Sequence, residues 1–272
     1  MSNGSKIAEK FRELKAARSK AVIAFLTAGY PDLELSRRVM KNMEKWGADI
    51  LEIGVPFSDP IADGPIIQAA SLKALENGVT LDGVFALCRE LKKTVRIPYL
   101  LMGYYNVMYH HGLKRFAAHC ADAGVAGVVV PDLPYEESGP LAGELAPYDI
   151  DLVQFVTPYT DAARMKRIVS SARGFIYFVS SAGVTGLRTE LDANLSTAVR
   201  AVKQTTDTPV AVGFGISSPA QARQAARDAD GIIVGSYFIR LLAEGKIDAL
   251  SAAVRAFKDA LGIADRGLRN AE

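Results

Sequence analysis

Two carboxylates are the first candidates for acid/base chemistry. Glu52 lies within a short apolar segment, flanked by Ile50, Leu51 and Ile53, where a buried strand is expected. Burying a carboxylate is costly unless the group is paired, protonated or used in catalysis. A second acid, Asp63, follows eleven residues later in a loop rich in glycine and proline. A glutamate that closes a strand, with an aspartate in the next loop, predicts a proton-transferring pair.

Eight short apolar segments provide the strands that would position these acids. They alternate with amphipathic segments, and their Val/Ile-rich, nearly continuous hydrophobicity is typical of parallel strands covered by helices. The segments are residues 21–25, 50–53, 99–102, 127–130, 152–155, 175–179, 210–212 and 231–234. About eight βα units in 272 residues predict an α/β fold, a single (β/α)8 TIM barrel. A doubly wound sheet is the alternative, although it usually stops at about five to seven strands.

Helical patterns fill the intervals between these strands. Residues 32–46 form one amphipathic segment that ends at Gly47, and Ser218-Pro219 begins another. An extra N-terminal helix is expected around Ile7, Phe11 and Leu14, and a short extra helix is expected at residues 237–243 after the eighth strand. No low-complexity linker divides the chain, so residues 1–272 are interpreted as one domain.

Composition excludes several classes of function. The chain is 49% hydrophobic and 23% charged, with a net charge of +2 and no basic stripe, which argues against nucleic-acid and membrane binding. Cys88 and Cys120 are too few for a disulfide framework and are interpreted as buried thiols in a reducing compartment. The first 20 residues lack an apolar signal region, and no segment reaches the ~20 apolar residues of a membrane span. A cytoplasmic location is therefore expected.

The residues that could act in catalysis narrow the chemistry further. No lysine ends a predicted strand, which argues against Schiff-base aldol chemistry. His110, His111 and His119 fall in one loop–helix region and are not expected to converge from several strands. We interpret them as surface residues and expect no zinc or iron site. The remaining chemistry is metal-free proton transfer.

Each candidate residue also has a purely structural interpretation. Glu52 could pair with an arginine, although its position at a strand end favours function. Asp63 could belong to an ordinary Asp-Gly turn, and Asp132, after the fourth strand, could orient loops. Tyr177 at mid-strand is by itself more typical of a core residue.

Glycine clusters after three strands predict a site for an anion. Residues 213–217 (GFGIS) follow the seventh strand, Gly235-Ser236 follows the eighth, and residues 182–186 (AGVTG) follow the sixth. Glycines there let backbone N–H groups approach a phosphate closely, and a short helix directs its N-terminal dipole at it. The alternative is that they are simple turns, but their joint position favours the phosphate site of a TIM barrel.

The order of these motifs resembles the tryptophan synthase α subunit family. Residues 51–65 (LEIGVPFSDPIADGP) carry the most specific part of the resemblance. It continues through Gln68 and through further segments that cover nearly the whole chain. These are 78–80 (GVT), 132–134 (DLP), 136–138 (EES), 181–186 (SAGVTG), 213–217 and 234–236 (VGS). The resemblance implies that the chain cleaves indole-3-glycerol phosphate to indole and glyceraldehyde 3-phosphate.

The resemblance also implies roles for individual residues. Glu52 would be the catalytic acid/base, and Asp63 the second carboxylate, at the indole nitrogen. The expected substrate-binding residues are Phe25, Tyr104, Tyr177, Thr185, Gly186, Phe214, Gly215, Gly235 and Ser236, with the glycines and Ser236 at the phosphate. No metal and no cofactor are expected in this chain. The implied partner is a β subunit that carries pyridoxal phosphate, in an α2β2 assembly.

Two loops are expected to couple this chain to the partner. Residues 55–61, with Phe57 exposed between prolines, and the loop at 180–192 should close over substrate. Tyr104, Tyr105 and Met108 are expected to add an apolar docking patch on the same face. The alternatives are a free-standing indole-glycerol-phosphate lyase, another phosphate-binding barrel enzyme, or a non-catalytic scaffold barrel. The last is disfavoured because both acids are present.

Overall fold

Eight parallel strands close into a barrel in the order β1 to β8, each paired with its neighbours along the chain. The computed structural model describes residues 4–179, 188–213 and 215–262, with the backbone alone at 188–194. The strands are β1 (Ala21–Thr27), β2 (Ile50–Gly54), β3 (Tyr99–Met102), β4 (Gly127–Val129), β5 (Asp151–Val156), β6 (Ile176–Val179), β7 (Val210–Gly213) and β8 (Gly231–Val234). All eight predicted strands are present, with boundaries within two residues, and the predicted TIM barrel is confirmed.

Helices follow the strands and cover the outside of the barrel. Among the described residues they are α1 (Lys6–Ala16), α2 (Leu33–Trp46), α3 (Pro65–Glu76), α4 (Leu81–Thr94), α5 (Tyr105–His111), α6 (Leu113–Asp122), α7 (Gly139–Leu145), α8 (Ala162–Ser171), α9 (Arg188–Lys203), α10 (Pro219–Ala225), α11 (Ser236–Ala243) and α12 (Ile247–Leu261). Two short 3-10 turns, Tyr135–Glu137 and Ala146–Tyr148, flank α7. None of the described helices combines the length and apolar character needed to cross a membrane.

Local signals in the sequence begin and end these helices. The Asp32 side chain caps α2 by accepting the N–H of Leu35, and Gly47 ends the helix with a φ of 109°. Ser218 caps α10, and Pro219 occupies its first turn. The predicted apolar stripe of α12 is buried against the barrel, including Leu250 and Val254. These short-range contacts account for the accuracy of the sequence-based boundaries.

Side chains that point inward fill the barrel and are sealed at its N-terminal end by α1. On each strand every second residue faces the interior, so Ile50 and Glu52 of β2 lie on the same side. The interior cluster consists of Ala21, Ile23, Ile50, Leu100, Ala126, Val129, Val153, Phe175, Ala211 and Ile233, together with Ile7, Phe11 and Leu14 of α1. Since α1 closes the N-terminal end, the C-terminal ends of the strands form the open mouth.

Both cysteines behave as the sequence predicts. Cys88 and Cys120 are unpaired and buried beneath the helical layer. Burial raises the pKa of the Cys88 thiol to about 12, so it remains protonated and packs as a small apolar side chain.

Candidate active site

Glu52 is the most unusual side chain in the barrel. It is 0% exposed, and within the part of the chain that the structure describes neither carboxylate oxygen has a hydrogen-bond partner. It lies in register between Phe25 of β1 and Leu100 of β3, so apolar neighbours flank it on both strands. This burial, reinforced by the negative charge of Asp63, raises the pKa of Glu52 to about 8. The group therefore carries a proton at neutral pH and titrates in the range useful for acid/base catalysis.

Asp63 is held in the loop after β2 by groups that are distant in sequence. The hydroxyl of Tyr104 donates to its Oδ2 at 2.9 Å and accepts the N–H of Ala62 at 3.0 Å. The Gln68 amide donates to the backbone carbonyl of Asp63 at 2.9 Å. Burial raises the pKa of Asp63, and the hydrogen bond from Tyr104 opposes that shift. The two acids therefore have different surroundings, one without partners and one tethered to a phenol.

Two aromatic rings extend across the mouth because the neighbouring strands end in glycine. A Cβ at Gly54 would lie 2.6 Å from the ring of Phe25, and one at Gly213 would lie 2.4 Å from the ring of Tyr177. Any larger residue at either position would displace the ring. Burial, together with the charges of Glu52 and Asp63, raises the pKa of Tyr177 well above its ordinary value, so its hydroxyl stays protonated.

A cavity of about 710 Å³ opens above these rings. Its lining includes Asp63, Phe25 and Tyr177 together with the predicted phosphate residues Gly215, Gly235 and Ser236. Glu52 is fully buried and is not part of the lining, although its strand neighbour Phe25 is. The cavity therefore brings six of the predicted residues together and leaves Glu52 behind its wall.

Backbone forms the part of this cavity where the phosphate site was predicted. Gly215 has a φ of 52°, in the left-handed region that glycine tolerates best, and a Cβ there would meet nothing within 4 Å. Gly235 caps α11, whose first residue is Ser236, so the N-terminal end of this helix faces the cavity. Three other predicted residues, Thr185, Gly186 and Phe214, lie outside the described residues, as does most of the predicted loop at 180–192.

Two further residues at this site were not predicted. Thr27 is 3% exposed and lines a small side cavity with Asp63 and Tyr104. Its hydroxyl oxygen has no hydrogen-bond partner among residues 4–179, 188–213 and 215–262. The predicted strand ended at Phe25, but β1 continues to Thr27. The alternation of inward-facing side chains along the strand, extended by two residues, would have indicated Thr27. Arg240 lines the cavity one helical turn after Ser236 and lies 5.3 Å from the ring of Tyr237. The four-residue spacing on α11 was the signal for it.

Several predictions about surrounding residues need correction. Tyr104 and Met108 are 3% and 1% exposed, so they cannot form the predicted docking patch; α5 buries them beneath the mouth. Phe57 is half-buried rather than exposed because its ring stacks on Tyr104 at 5.1 Å. Asp132 orients a loop, since its carboxylate accepts the N–H of Tyr105 at 2.9 Å.

The histidines are also placed differently from the prediction. His110 is exposed, as predicted, but the other two are half-buried. Helix α5 ends at His111, and Gly112, with a φ of 88°, turns the chain into α6, which brings His119 back to within 3.2 Å of His111. The reversal between two short helices, rather than the ends of strands, causes this convergence.

The fold and the site together define a class of protein: a (β/α)8 barrel enzyme with an acid pair and a glycine-lined cavity at the C-terminal ends of its strands. Comparisons with known proteins specify the family. The profile of the tryptophan synthase alpha chain family matches residues 11–264. Tryptophan synthase alpha chains from Picosynechococcus sp. and Geobacter sulfurreducens are 44% and 43% identical to this chain. Each alignment covers 94% of this chain and 97% of the relative.

A solved structure agrees with this assignment. The tryptophan synthase subunit alpha of Legionella pneumophila superposes with a TM-score of 0.88 at 34% identity, covering 94% of this chain and 98% of that one. The chain belongs to the tryptophan synthase alpha chain family, the lyases that cleave indole-3-glycerol phosphate in tryptophan biosynthesis.

Proposed function

We propose that Glu52 is the acid/base of indole-3-glycerol phosphate cleavage and that Asp63 stabilises positive charge at the indole nitrogen. The observation that carries this assignment is the buried carboxyl of Glu52, without a hydrogen-bond partner, beside the cavity wall. An unpaired buried acid is costly for stability, and such a cost is typical of residues retained for catalysis. Asp63 lines the cavity directly, and the Tyr104 hydroxyl favours its ionised form.

The proposed reaction uses the indole ring of the substrate as its electron sink. Glu52 donates a proton to ring carbon C3, which gives an indolenine cation whose ring N–H is bound by Asp63. The conjugate base of Glu52 then takes the proton of the hydroxyl on the adjacent glycerol carbon. The bond between that carbon and C3 breaks, its electron pair returns to the ring, and indole and glyceraldehyde 3-phosphate result. The proton gained at C3 balances the one lost from the hydroxyl.

Access to the substrate requires one local movement. Glu52 lies behind the cavity wall, so a rotation of its side chain past Phe25 and Tyr177 would bring the carboxyl to the substrate. The rings of Phe25 and Tyr177 occupy the space over Gly54 and Gly213, so this rotation would need the two rings to move with it.

The phosphate is proposed to bind at the glycine-lined part of the cavity. Backbone groups at Gly215 and Gly235 and the hydroxyl of Ser236 would contact its oxygens, and Arg240 would add a positive charge at the rim. The distance between this pocket and the acids fixes the orientation of the indole, and such positioning typically lowers a barrier by several kcal/mol.

A β subunit is the proposed partner, in an α2β2 assembly in which pyridoxal phosphate belongs to the partner. The loop after β2 is suited to relay its binding because it connects an exposed surface to the acids. Ile61 in this loop is 82% exposed, whereas the adjacent Ala62 and Asp63 are bound by Tyr104. A partner that contacts Ile61 would therefore act on Asp63 through the backbone.

Indole release from indole-3-glycerol phosphate, measured with and without β subunit, tests the partner and the reaction together. We expect turnover in both cases and a marked rise with the partner. An unchanged rate would favour a free-standing lyase, and binding without turnover would favour a scaffold. Asp59→Ala and Phe57→Ser test the loop, since activation that survives unchanged in both variants excludes it as the relay.

Substitutions around the cavity test the phosphate pocket. Arg240→Gln and Ser236→Ala should raise KM for the phosphorylated substrate about tenfold with little change in kcat. Arg223→Gln, on an exposed part of α10 outside the cavity, is the matched control. Gly215→Ala adds a side chain that meets nothing within 4 Å but strains the backbone at a φ of 52°, whereas a side chain at Gly235 would contact Phe25. Equal affinity of the wild-type chain for indole-3-glycerol and its phosphate would refute this pocket.

A further inference from the structure

A second cluster of titratable side chains lies on the outer helices. Asp82 is in the first turn of α4, His111 ends α5, and His119 is in the last turn of α6. One ligand atom of each residue lies within 4.8 Å of the other two. These residues take no part in the proposed cleavage, and the three helices that carry them are separate elements of the barrel's outer layer.

The two histidine rings are hydrogen-bonded to each other, with His111 Nε2 and His119 Nδ1 3.2 Å apart. Zinc binds imidazole nitrogen at about 2.0–2.1 Å, so two nitrogens on a tetrahedral ion are about 3.3 Å apart. The separation of the two nitrogens therefore already suits a shared ion, which would replace the proton between them. The exposed carboxylate of Asp82 can close the remaining gap by rotating about its side-chain bonds.

Packing beneath the cluster fixes the two rings. The buried ring of Phe85 contacts His111 at a centroid distance of 5.7 Å and His119 at 5.2 Å, the latter edge-on. This preorganisation lowers the entropy cost of binding an ion. Arg115 opposes a cation, whereas Asp82 attracts one.

We propose that Asp82, His111 and His119 form a binding site for a divalent transition-metal ion such as Zn²⁺. Two imidazoles and one carboxylate suit Zn²⁺ and related ions, with water completing the coordination. The bound ion would join α4, α5 and α6. Because α5 follows Tyr104 directly, this cross-link would also anchor the helix next to the residue that holds Asp63.

Titration of the untagged full-length chain with Zn²⁺ tests the proposal. Calorimetry should show one equivalent bound, and a hundredfold excess over Kd should raise Tm by about 5 °C. His119→Gln should weaken Zn²⁺ affinity at least tenfold and remove the Tm shift, and Asp82→Asn should weaken affinity less. His110→Gln is the matched control, because His110 is the adjacent residue but is exposed and contacts the Asn106 carbonyl. It should bind as the wild type does.

Cobalt provides an independent measurement. Co²⁺ should give visible absorption bands that Zn²⁺ displaces and that His119→Gln lacks, while circular dichroism checks that the variant is folded. The proposal is overturned if the wild-type chain binds no Zn²⁺, if His119→Gln binds it equally well, or if His110→Gln abolishes binding. None of these outcomes depends on the cleavage reaction, so failure here would leave the proposed function intact.

Discussion

Buried acids at the two ends of the barrel differ in their hydrogen-bond and ion-pair partners. At the N-terminal ends of the strands, the carboxylate of Asp49 accepts hydrogen bonds from the Lys258 ammonium at 2.7 and 2.8 Å and from the N–H of Val22 at 2.8 Å. Asp151, at the start of β5, is bound by Ser5 and by Arg173. Toward the C-terminal mouth, only three residues beyond Asp49, Glu52 is 0% exposed and has no hydrogen-bond partner among the described residues.

This difference separates the acids that have a structural role from the acid that we propose acts in catalysis. A paired buried carboxylate contributes to the fold because its desolvation cost is offset by a cation and hydrogen bonds. An unpaired one is destabilising when ionised, and its pKa rises instead. Burial raises the pKa of Asp49, but Lys258 opposes that shift, whereas the charge of Asp63 adds to the rise at Glu52. The presence of ion-pair and hydrogen-bond partners, rather than burial, distinguishes the buried acids at the two ends of the barrel.

The largest expected effect is on turnover in Glu52→Gln. This near-isosteric change cannot move a proton, so cleavage should fall by about 10²–10⁴-fold while the fold and phosphate affinity persist. Indole release under single-turnover conditions measures cleavage, and near-UV circular dichroism checks that the fold persists. A variant with more than about 1% of wild-type turnover would remove Glu52 from the acid/base role. Asp63→Asn should also be severely impaired, and more so with ring-substituted indoles.

The second-largest effect is expected on the pH dependence of the free energy of unfolding, which should differ between the wild type and Glu52→Gln. In the folded chain Glu52 has a pKa of about 8, against an ordinary value of 4.5. Its stabilising contribution is therefore complete below pH 4.5 and is lost as pH rises to 8, by at most about 5 kcal/mol. Urea unfolding from pH 5 to 9 should show this loss in the wild type and a flatter profile in Glu52→Gln. Parallel profiles would mean that the carboxyl is ionised at neutral pH.

Removing a partner at the other end should destabilise the fold without changing the reaction. Lys258→Met leaves the carboxylate of Asp49 buried with one remaining backbone donor, Val22. We expect a loss of about 2 kcal/mol in the free energy of unfolding, below the full value for a buried pair because Lys258 is partly exposed. The double variant Asp49→Asn/Lys258→Met should recover part of it. A loss of cleavage at unchanged stability would contradict the division between the two ends.

The smallest effect is expected from Tyr104→Phe. The change removes the hydroxyl that donates to Asp63 and accepts from Ala62, so the pKa of Asp63 should rise further and kcat/KM should fall about tenfold. A pH profile of kcat/KM should show its acid limb displaced upward. Tyr105→Phe, which alters the neighbouring ring, is the control and should behave as the wild type. An unshifted limb would show that the Tyr104 hydroxyl does not tune Asp63.

The barrel fold could be predicted from the sequence because the sequence patterns that define its strands and helices are local. Alternation along each strand, caps such as Asp32 and stop residues such as Gly47 act over a few residues, and the structure reproduces all eight predicted strands. The positions of both acids followed from the same reasoning, since a strand end and the next loop determine which end of the barrel they reach. The clustering of Gly215, Gly235 and Ser236 also follows from strand order.

Contacts between side chains that are far apart in the sequence could not be predicted in that way. Tyr104 binds an acid 41 residues earlier in the chain, Lys258 pairs with an acid 209 residues away, and His119 meets His111 only because Gly112 reverses the chain. The same packing buried Tyr104 and Met108 and left Glu52 without a hydrogen bond. The sequence alone determined the fold class and where its acids lie. The tertiary structure decided which acids are paired, because hydrogen bonds and ion pairs depend on distances in space that local periodicity does not encode.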